Sequence, residues 1–213
     1  MLKRICYPLH KYICIISGLF LLFSQLNYAL ADNFEQLRKD AANIQTIQAR
    51  FVQSKSMKIL SKPLISEGCF YYVSPDSFRW EYFKPLKSIV IAHKGETKRY
   101  ISSGGKMTED KTGGVQAMKI VLNEITAWMS GKFDQNPSFK ATLKEGTYTE
   151  ITLTPVGKSM AGMIEKIIIT VSKKDTAVKS VKIIESENSL TRIDFSDAVI
   201  NKVIPESTFQ DIE

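Results

Sequence analysis

Gly68-Cys69-Phe70-Tyr71-Tyr72-Val73-Ser74-Pro75-Asp76-Ser77-Phe78-Arg79-Trp80-Glu81-Tyr82 is the stretch on which the fold turns. From Ser77 onward, Phe78, Trp80 and Tyr82 alternate with Arg79 and Glu81. That period of two describes a strand with one apolar face. An aromatic run, Gly68–Val73, precedes it, and Ser74-Pro75-Asp76 between them has turn chemistry. So short a connection joins antiparallel strands, because a parallel pair needs a long crossover.

Outward from this hairpin the same period continues. Phe51, Gln53, Lys55, Met57 and Ile59 share one face of an earlier strand, followed by a turn near Ser61-Lys62-Pro63. Lys84-Pro85 ends the central strand; Ser88–Ala92 and Thr97–Ile101 then flank a turn at His93-Lys94-Gly95-Glu96. Residues 102–114 are polar and glycine-containing and read as a loop. Strands resume at Phe139–Leu143, Thr149–Thr154, Lys166–Val171, Val178–Ser186 and Leu190–Phe195, and Phe195 to Phe209 reads as a terminal loop with room for a short last strand. Two helices interrupt the pattern. Phe34, Leu37, Ala41 and Ile44 recur at steps of three or four behind Asp32, a capping residue with Glu35 three positions on. Val115, Met118, Leu122, Ile125 and Met129 form a second stripe, widened by Val121 and Trp128 and closed by Gly131. Two amphipathic helices against one long antiparallel sheet make an α+β architecture. No repeat or low-complexity linker divides residues 32–213, which read as a single domain.

The first 31 residues have a different character. Lys3, Arg4 and Lys11 precede an apolar run, Ile13 to Phe23, and Ala29-Leu30-Ala31 supplies a small-residue exit. This is the pattern of a secretory signal peptide. The run is about a dozen residues, against the roughly 20 that span a bilayer as a helix. Export is expected, to a compartment without cytosolic ATP or nicotinamide. Without the leader, 182 of the 213 residues remain and the formal charge falls by three, from +7 to +4. So weak and even a basic excess argues against nucleic acid. Cys6 and Cys14 also leave, so Cys69 stands alone and no internal disulfide can form. The mature domain must be held by its core.

Catalytic constellations are missing. His93 is the one histidine after the leader, and no G-x-S-x-G supplies an activated serine. Ser103-Gly104-Gly105-Lys106 has neither the earlier glycine nor the following Ser or Thr of a phosphate loop. Carboxylates scatter without forming an acid–base couple, and clustered metal ligands are wanting. The chain reads as a binding protein, not an enzyme, with no cofactor and no metal. What is over-supplied is apolar and adaptable surface: Phe70, Tyr72, Phe78, Trp80 and Tyr82 on two strands, and Met118, Trp128 and Met129 on the second helix. Periodicity alone leaves open whether these fill a core or line a pocket.

Phe51-Val52-Gln53, the Gly68–Tyr82 stretch with Pro85, and the ending Ile193-Asp194-Phe195-Ser196-Asp197-Ala198-Val199-Ile200-Asn201 through Ile204-Pro205-Glu206-Ser207-Thr208-Phe209 together resemble the LolA family of periplasmic outer-membrane lipoprotein carriers. The order and spacing of these pieces over residues 32–213 carry the resemblance. It implies an unclosed antiparallel β-barrel of the LolA/LolB type, its concave apolar face covered by a helical lid. It also implies a cargo of acylated lipoproteins, taken from an inner-membrane ABC-type release complex and passed to an outer-membrane receptor. A carrier that hands over one cargo at a time is most simply a monomer. Members of the family place a basic residue just before the proline of the first turn, where it latches the lid; here Ser74 stands there, and Arg79 is the alternative latch.

On this reading Phe51, Phe78, Trp80, Tyr82, Ile89 and Ile91 line the lipid cavity. Phe34, Leu37, Met118, Leu122, Ile125, Trp128 and Met129 form the lid that covers it. Two other readings are consistent with the residues. One is a related exported protein for another amphiphile, such as a glycolipid, or a regulator that senses lipoprotein. The other is a structural β-domain with a filled core.

Overall fold

The computed structural model describes residues 34–111, 124–157, 164–186 and 188–212. Eleven strands form one sheet: β1 (Thr46–Met57), β2 (Leu64–Val73), β3 (Ser77–Lys84), β4 (Ser88–His93), β5 (Glu96–Ser103), β6 (Lys106–Glu109), β7 (Phe139–Lys144), β8 (Thr149–Pro155), β9 (Lys166–Val171), β10 (Val178–Ser186) and β11 (Ser189–Ile200). Their order is β6-β5-β4-β3-β2-β1-β11-β10-β9-β8-β7, and every neighbouring pair is antiparallel. The first and last strands therefore meet in the middle. β6 and β7 are the two edges, unpaired with one another among the described residues, so the curled sheet is an unclosed barrel.

Two helices are described, α1 over residues 34–42 and α2 over 124–129. Their positions follow from the topology. The connection after β6 must carry the chain from one edge of the sheet to the other, and α2 lies within it. A Schellman motif ends α2: the Gly131 N–H donates to the Trp128 carbonyl at 3.0 Å and the Lys132 N–H to the Ala127 carbonyl at 2.8 Å. Gly131 sits at φ 72°, and a Cβ there would come within 2.8 Å of the Ala41 Cβ and 2.9 Å of the Leu37 carbonyl. The two helices thus touch backbone to backbone at this glycine, and only glycine fits.

Two corrections to the sequence reading concern strands. Residues 102–114 do not begin as a loop: Gly104 and Gly105, at φ 59° and 81°, make a tight turn from β5 into β6. β6 is short and polar, an edge strand without apolar alternation, which is why its sequence shows no strand signal. The last strand does not stop at Phe195 but runs on to Ile200. The chain beyond it crosses the outer face of β2–β6 and ends in a 3₁₀ turn, Glu206–Phe209.

The main core lies on the concave face. It draws Phe51 from β1, Phe70 and Tyr72 from β2, Phe78 and Trp80 from β3, and an aliphatic set from β8–β11. Gly68 allows the aromatic part to assemble. A Cβ at Gly68 would lie 1.9 Å from the Glu81 carbonyl oxygen and 2.6 Å from the Phe51 Cζ. The Phe51 ring therefore lies against bare backbone, opposite Gly68 in the β1–β2 register. Gly68→Ala is expected to cost more than about 3 kcal/mol in urea unfolding, because strands and ring must separate. Gly95→Ala, where nothing lies within 4 Å, is the control. It is expected to cost only the roughly 1–2 kcal/mol of a left-handed alanine.

Candidate functional site: the covered concave face

Strand alternation decides which side chains reach the concave face. On β3, Phe78, Trp80 and Tyr82 point inward, and directly opposite them in register stand Tyr72, Phe70 and Gly68 of β2. The rings form one connected cluster. Phe51 and Trp80 have centroids 4.5 Å apart, Phe51 and Tyr82 5.2 Å in an edge-on arrangement, and Phe70 and Trp80 5.3 Å. Phe195 of β11 closes the group at 6.0 Å from Trp80, again edge-on. Such tilted and edge-on pairs favour ring quadrupoles and add to the burial itself. The other half of the face is aliphatic: Ile151, Leu153, Ile167, Ile169, Val171, Val181 and Ile193.

Both helices cover this surface. Phe34 and Leu37 of α1, and Ile125, Trp128 and Met129 of α2, are buried in the same core, together with Phe133. Phe51, Phe78 and Trp80 belong to it too, and Tyr82 packs against it half-buried. Met118 and Leu122 lie outside the described residues. Ile89 and Ile91 do not line this face. In register, Ile89 stands opposite Glu81 and Ile91 opposite Arg79, so both point outward, and Val90, opposite Trp80, takes the inward position. Ile89 and Ile91 pack instead with Phe209 in a second cluster under the C-terminal segment. The run Ile89-Val90-Ile91 is apolar on both faces of the strand, and its composition gives no sign of which side is the concave one. Phe195 and the aliphatic half were missed as site residues, although alternation in β8 and β9 carries their signal.

Among the described residues, polar contacts that hold the cover are few. The Tyr72 hydroxyl pairs with the Ser130 Oγ at 3.1 Å, while the Ser130 hydroxyl lies 3.0 Å from the Thr126 carbonyl it can donate to. Arg38 of α1 donates to Asp134 Oδ1 at 2.7 Å, tying α1 to the chain after α2. Glu124 accepts from the Asn136 side-chain amide at 2.5 Å. Burial holds the Glu124 carboxyl above the usual carboxylate range, and that amide bond offsets part of the effect. Burial likewise raises the Tyr82 phenol, whose hydroxyl donates to Gln53 Oε1 at 3.0 Å. Neither residue singled out in the sequence as a latch forms a hydrogen bond or ion pair with the cover among the described residues. Ser74 uses its backbone N–H, donating to the Gln45 carbonyl at 2.8 Å. Arg79 lies on the outer face, where it binds Glu81 at 2.8 Å and the carbonyls of Thr208 and Asp211. The Tyr72–Ser130 pair links the sheet to the end of α2 instead.

In the interior, Trp128 Nε1 has no hydrogen-bond partner among the described residues, and Trp80 Nε1 has only the Tyr82 hydroxyl beside it. Cys69 points outward, between Arg50 and Glu81 in register, and burial raises its thiol. Among the described residues no three His, Cys, Asp or Glu side chains are grouped to hold a metal ion. No helix among them is long and apolar enough to cross a membrane.

The family profile described as "Outer membrane lipoprotein carrier protein LolA" matches residues 42–211, which takes in all eleven strands and α2. The chain belongs to the LolA family. A curated relative, the outer-membrane lipoprotein carrier protein of Helicobacter pylori (strain HPAG1), is 24% identical over 184 residues, covering 86% of this chain and 85% of that one. Among solved structures, an uncharacterised conserved protein from Thermus thermophilus superposes with a TM-score of 0.54 at 10% identity, covering 86% of this chain and 94% of that one. The MucA/MucB complex of Pseudomonas aeruginosa gives 0.52 at 13% identity, covering 84% of this chain and 60% of that one. At these identities the structural likenesses speak for the LolA-type fold alone.

Tyr72→Phe removes a hydroxyl that lies 3.1 Å from the Ser130 Oγ and 3.3 Å from the Pro75 carbonyl, and is expected to lower stability by about 1 kcal/mol, since its one proton serves one acceptor at a time. It should also speed entry of a fluorescent fatty acid, read by stopped flow. An unchanged entry rate would remove the Tyr72–Ser130 pair as a latch. Glu124 has a raised folded-state pKa, so its effect on stability is most favourable below the unfolded value and is lost as pH rises through the folded one. Glu124→Gln is therefore expected to raise the thermal midpoint at pH 7, with the gain vanishing by roughly pH 4.

Proposed function

We propose that the concave face is an acyl-chain site and that the chain is a periplasmic carrier of acylated lipoproteins. Residues 1–31 are its signal peptide and residues 32–213 its single carrier domain. It takes cargo released by an inner-membrane ABC-type complex, delivers it to an outer-membrane receptor, works as a monomer and performs no chemistry. One observation carries the reading: a continuous apolar face, aromatic on one half and aliphatic on the other, is covered by two helices with few polar ties among the described residues. Family membership and the Helicobacter pylori carrier point the same way. The Trp128 indole N–H, without a partner among the described residues, fits such cargo, since acyl esters bring carbonyl acceptors into an otherwise apolar interior.

Energetics explain why the cover matters. Burying a chain of about 15 methylenes at roughly 0.8 kcal/mol each yields up to about 12 kcal/mol. Several chains buried without opposition would exceed the roughly −20 kcal/mol at which non-covalent affinity saturates, and release would stall. Entry of an acyl chain must displace Ile125, Trp128 and Met129 from the sheet, and those lost contacts oppose binding. The closed, filled interior is the counterweight that keeps affinity reversible.

The test is native mass spectrometry with lipid extraction on protein purified from the periplasm of its own host. Co-purifying triacylated lipoprotein is expected; glycolipid or phospholipid alone would shift the assignment to another amphiphile, and an empty protein that refuses an acyl probe would end it. Ile125→Glu, and Leu122→Glu by the sequence reading, are expected to weaken lipid uptake in a vesicle-transfer assay while the sheet's circular dichroism is retained.

A further inference from the structure

Two neighbouring turns carry apolar residues where turns ordinarily carry glycine, asparagine or aspartate. The β1–β2 connection includes Lys58-Ile59-Leu60-Ser61-Lys62, its turn closed by the Leu60 N–H donating to the Met57 carbonyl at 3.0 Å. Ile59, at the tip, is 85% exposed. The β3–β4 connection runs Lys84-Pro85-Leu86-Lys87, and Leu86 is 74% exposed. Leu60, Leu64, Ile65 and Phe83 are exposed beside them.

β1 and β3 run in the same direction, each antiparallel to β2, so both turns lie at one end of the sheet. Val52, Glu67 and Lys84 stand level across the three strands. β1 continues five residues, about 17 Å, past that level to Met57, and Leu86 lies two residues past it, so both tips reach one plane that crosses the strands obliquely. None of these apolar side chains joins either core cluster.

The lysines identify the occupant. Lys58, Lys62 and Lys84 are exposed and bracket the two apolar tips. Lys58 and Lys62 form no ion pair among the described residues, and Lys84 has only an exposed contact to Glu67 at 3.2 Å. Protein–protein interfaces are depleted in lysine at their centres. Apolar tips flanked by long cationic side chains match a lipid surface instead: the tips enter the acyl boundary while the ammonium groups remain at the phosphates. We propose that these two turns dock the protein on an anionic lipid bilayer, with Ile59, Leu60 and Leu86 entering the interface and Lys58, Lys62 and Lys84 on lipid phosphates. The inference stands on the turns and holds whatever the concave face carries.

Flotation of the purified protein with phosphatidylethanolamine–phosphatidylglycerol vesicles, against vesicles of phosphatidylcholine alone, tests it. The protein should float with the anionic vesicles and do so less as salt is raised. The Ile59→Ser/Leu86→Ser double variant should lose about tenfold or more of that binding, as should Lys58→Glu/Lys62→Glu, with thermal midpoints unchanged because the sites are exposed. Ile59→Trp should show blue-shifted indole emission on adding the anionic vesicles. Absence of flotation overturns the proposal, as does an Ile59→Trp emission that does not move. Double variants that float like the parent also overturn it; if they bind vesicles normally but fail in cargo transfer, the turns face a protein.

Discussion

Phe51 lying across the bare backbone of Gly68 is the contact around which the concave face is built. With a side chain at Gly68, the ring would have to lift and β2 and β3 would have to part. Without one, the Phe51 ring settles low, Trp80 and Tyr82 close over it, and Phe70 and Phe195 complete the cluster. A register irregularity between β2 and β3 sits at the same point, between Glu67 and Gly68. Irregularities of this kind bend a strand and increase its twist. One of the sheet's irregularities and its aromatic packing therefore coincide at Gly68, with further irregularities in β1, β10 and their partners.

The two faces of the sheet are held by different forces. On the outer face Arg79 forms a buried pair with Glu81 and binds two carbonyls of the C-terminal segment. His93 stacks on Phe209 at 5.3 Å, and Ile89 and Ile91 pack beneath. That strap braces β2–β6 from behind with directional bonds. On the concave face the cover rests mainly on non-directional apolar contact, with the Tyr72–Ser130 hydroxyl pair and Arg38–Asp134 as its main polar ties. Apolar contact can be exchanged for other apolar contact at little net cost, whereas a buried ion pair cannot lose its partner cheaply. The helices are consequently the part of the structure held most loosely, while the sheet keeps its shape.

Curling without closure follows from the same division. β6 and β7 remain edges, and the chain between them must pass from one to the other. Carrying α2 in that connection places the cover where the topology already requires chain to be. Gly131 then brings α2 against α1, so the two helices meet as one surface.

Much of this was legible from residues alone. Alternation in β1 and β3 shows which side of each strand is apolar, three-four spacing marks both helices, and Gly131 marks the end of the second. These are local consequences of backbone geometry, which repeats every two residues in a strand and every 3.6 in a helix. The inward direction of Phe51, Phe78, Trp80 and Tyr82 follows from it. Where both faces of a strand are apolar, as at Ile89-Val90-Ile91, local periodicity is silent; the pairing with β3 and the strap behind it sent Ile89 and Ile91 outward and Val90 inward. The polar hairpin at Gly104-Gly105 formed because an edge strand needs only one partner and no core face. A polar tie to the cover formed between Tyr72 and Ser130, 58 positions apart, because hydrogen bonding depends on distance in space. Sequence determined the elements and their apolar sides. Tertiary structure alone decided what each side meets, since register and chain crossing are set by contacts between residues far apart along the chain.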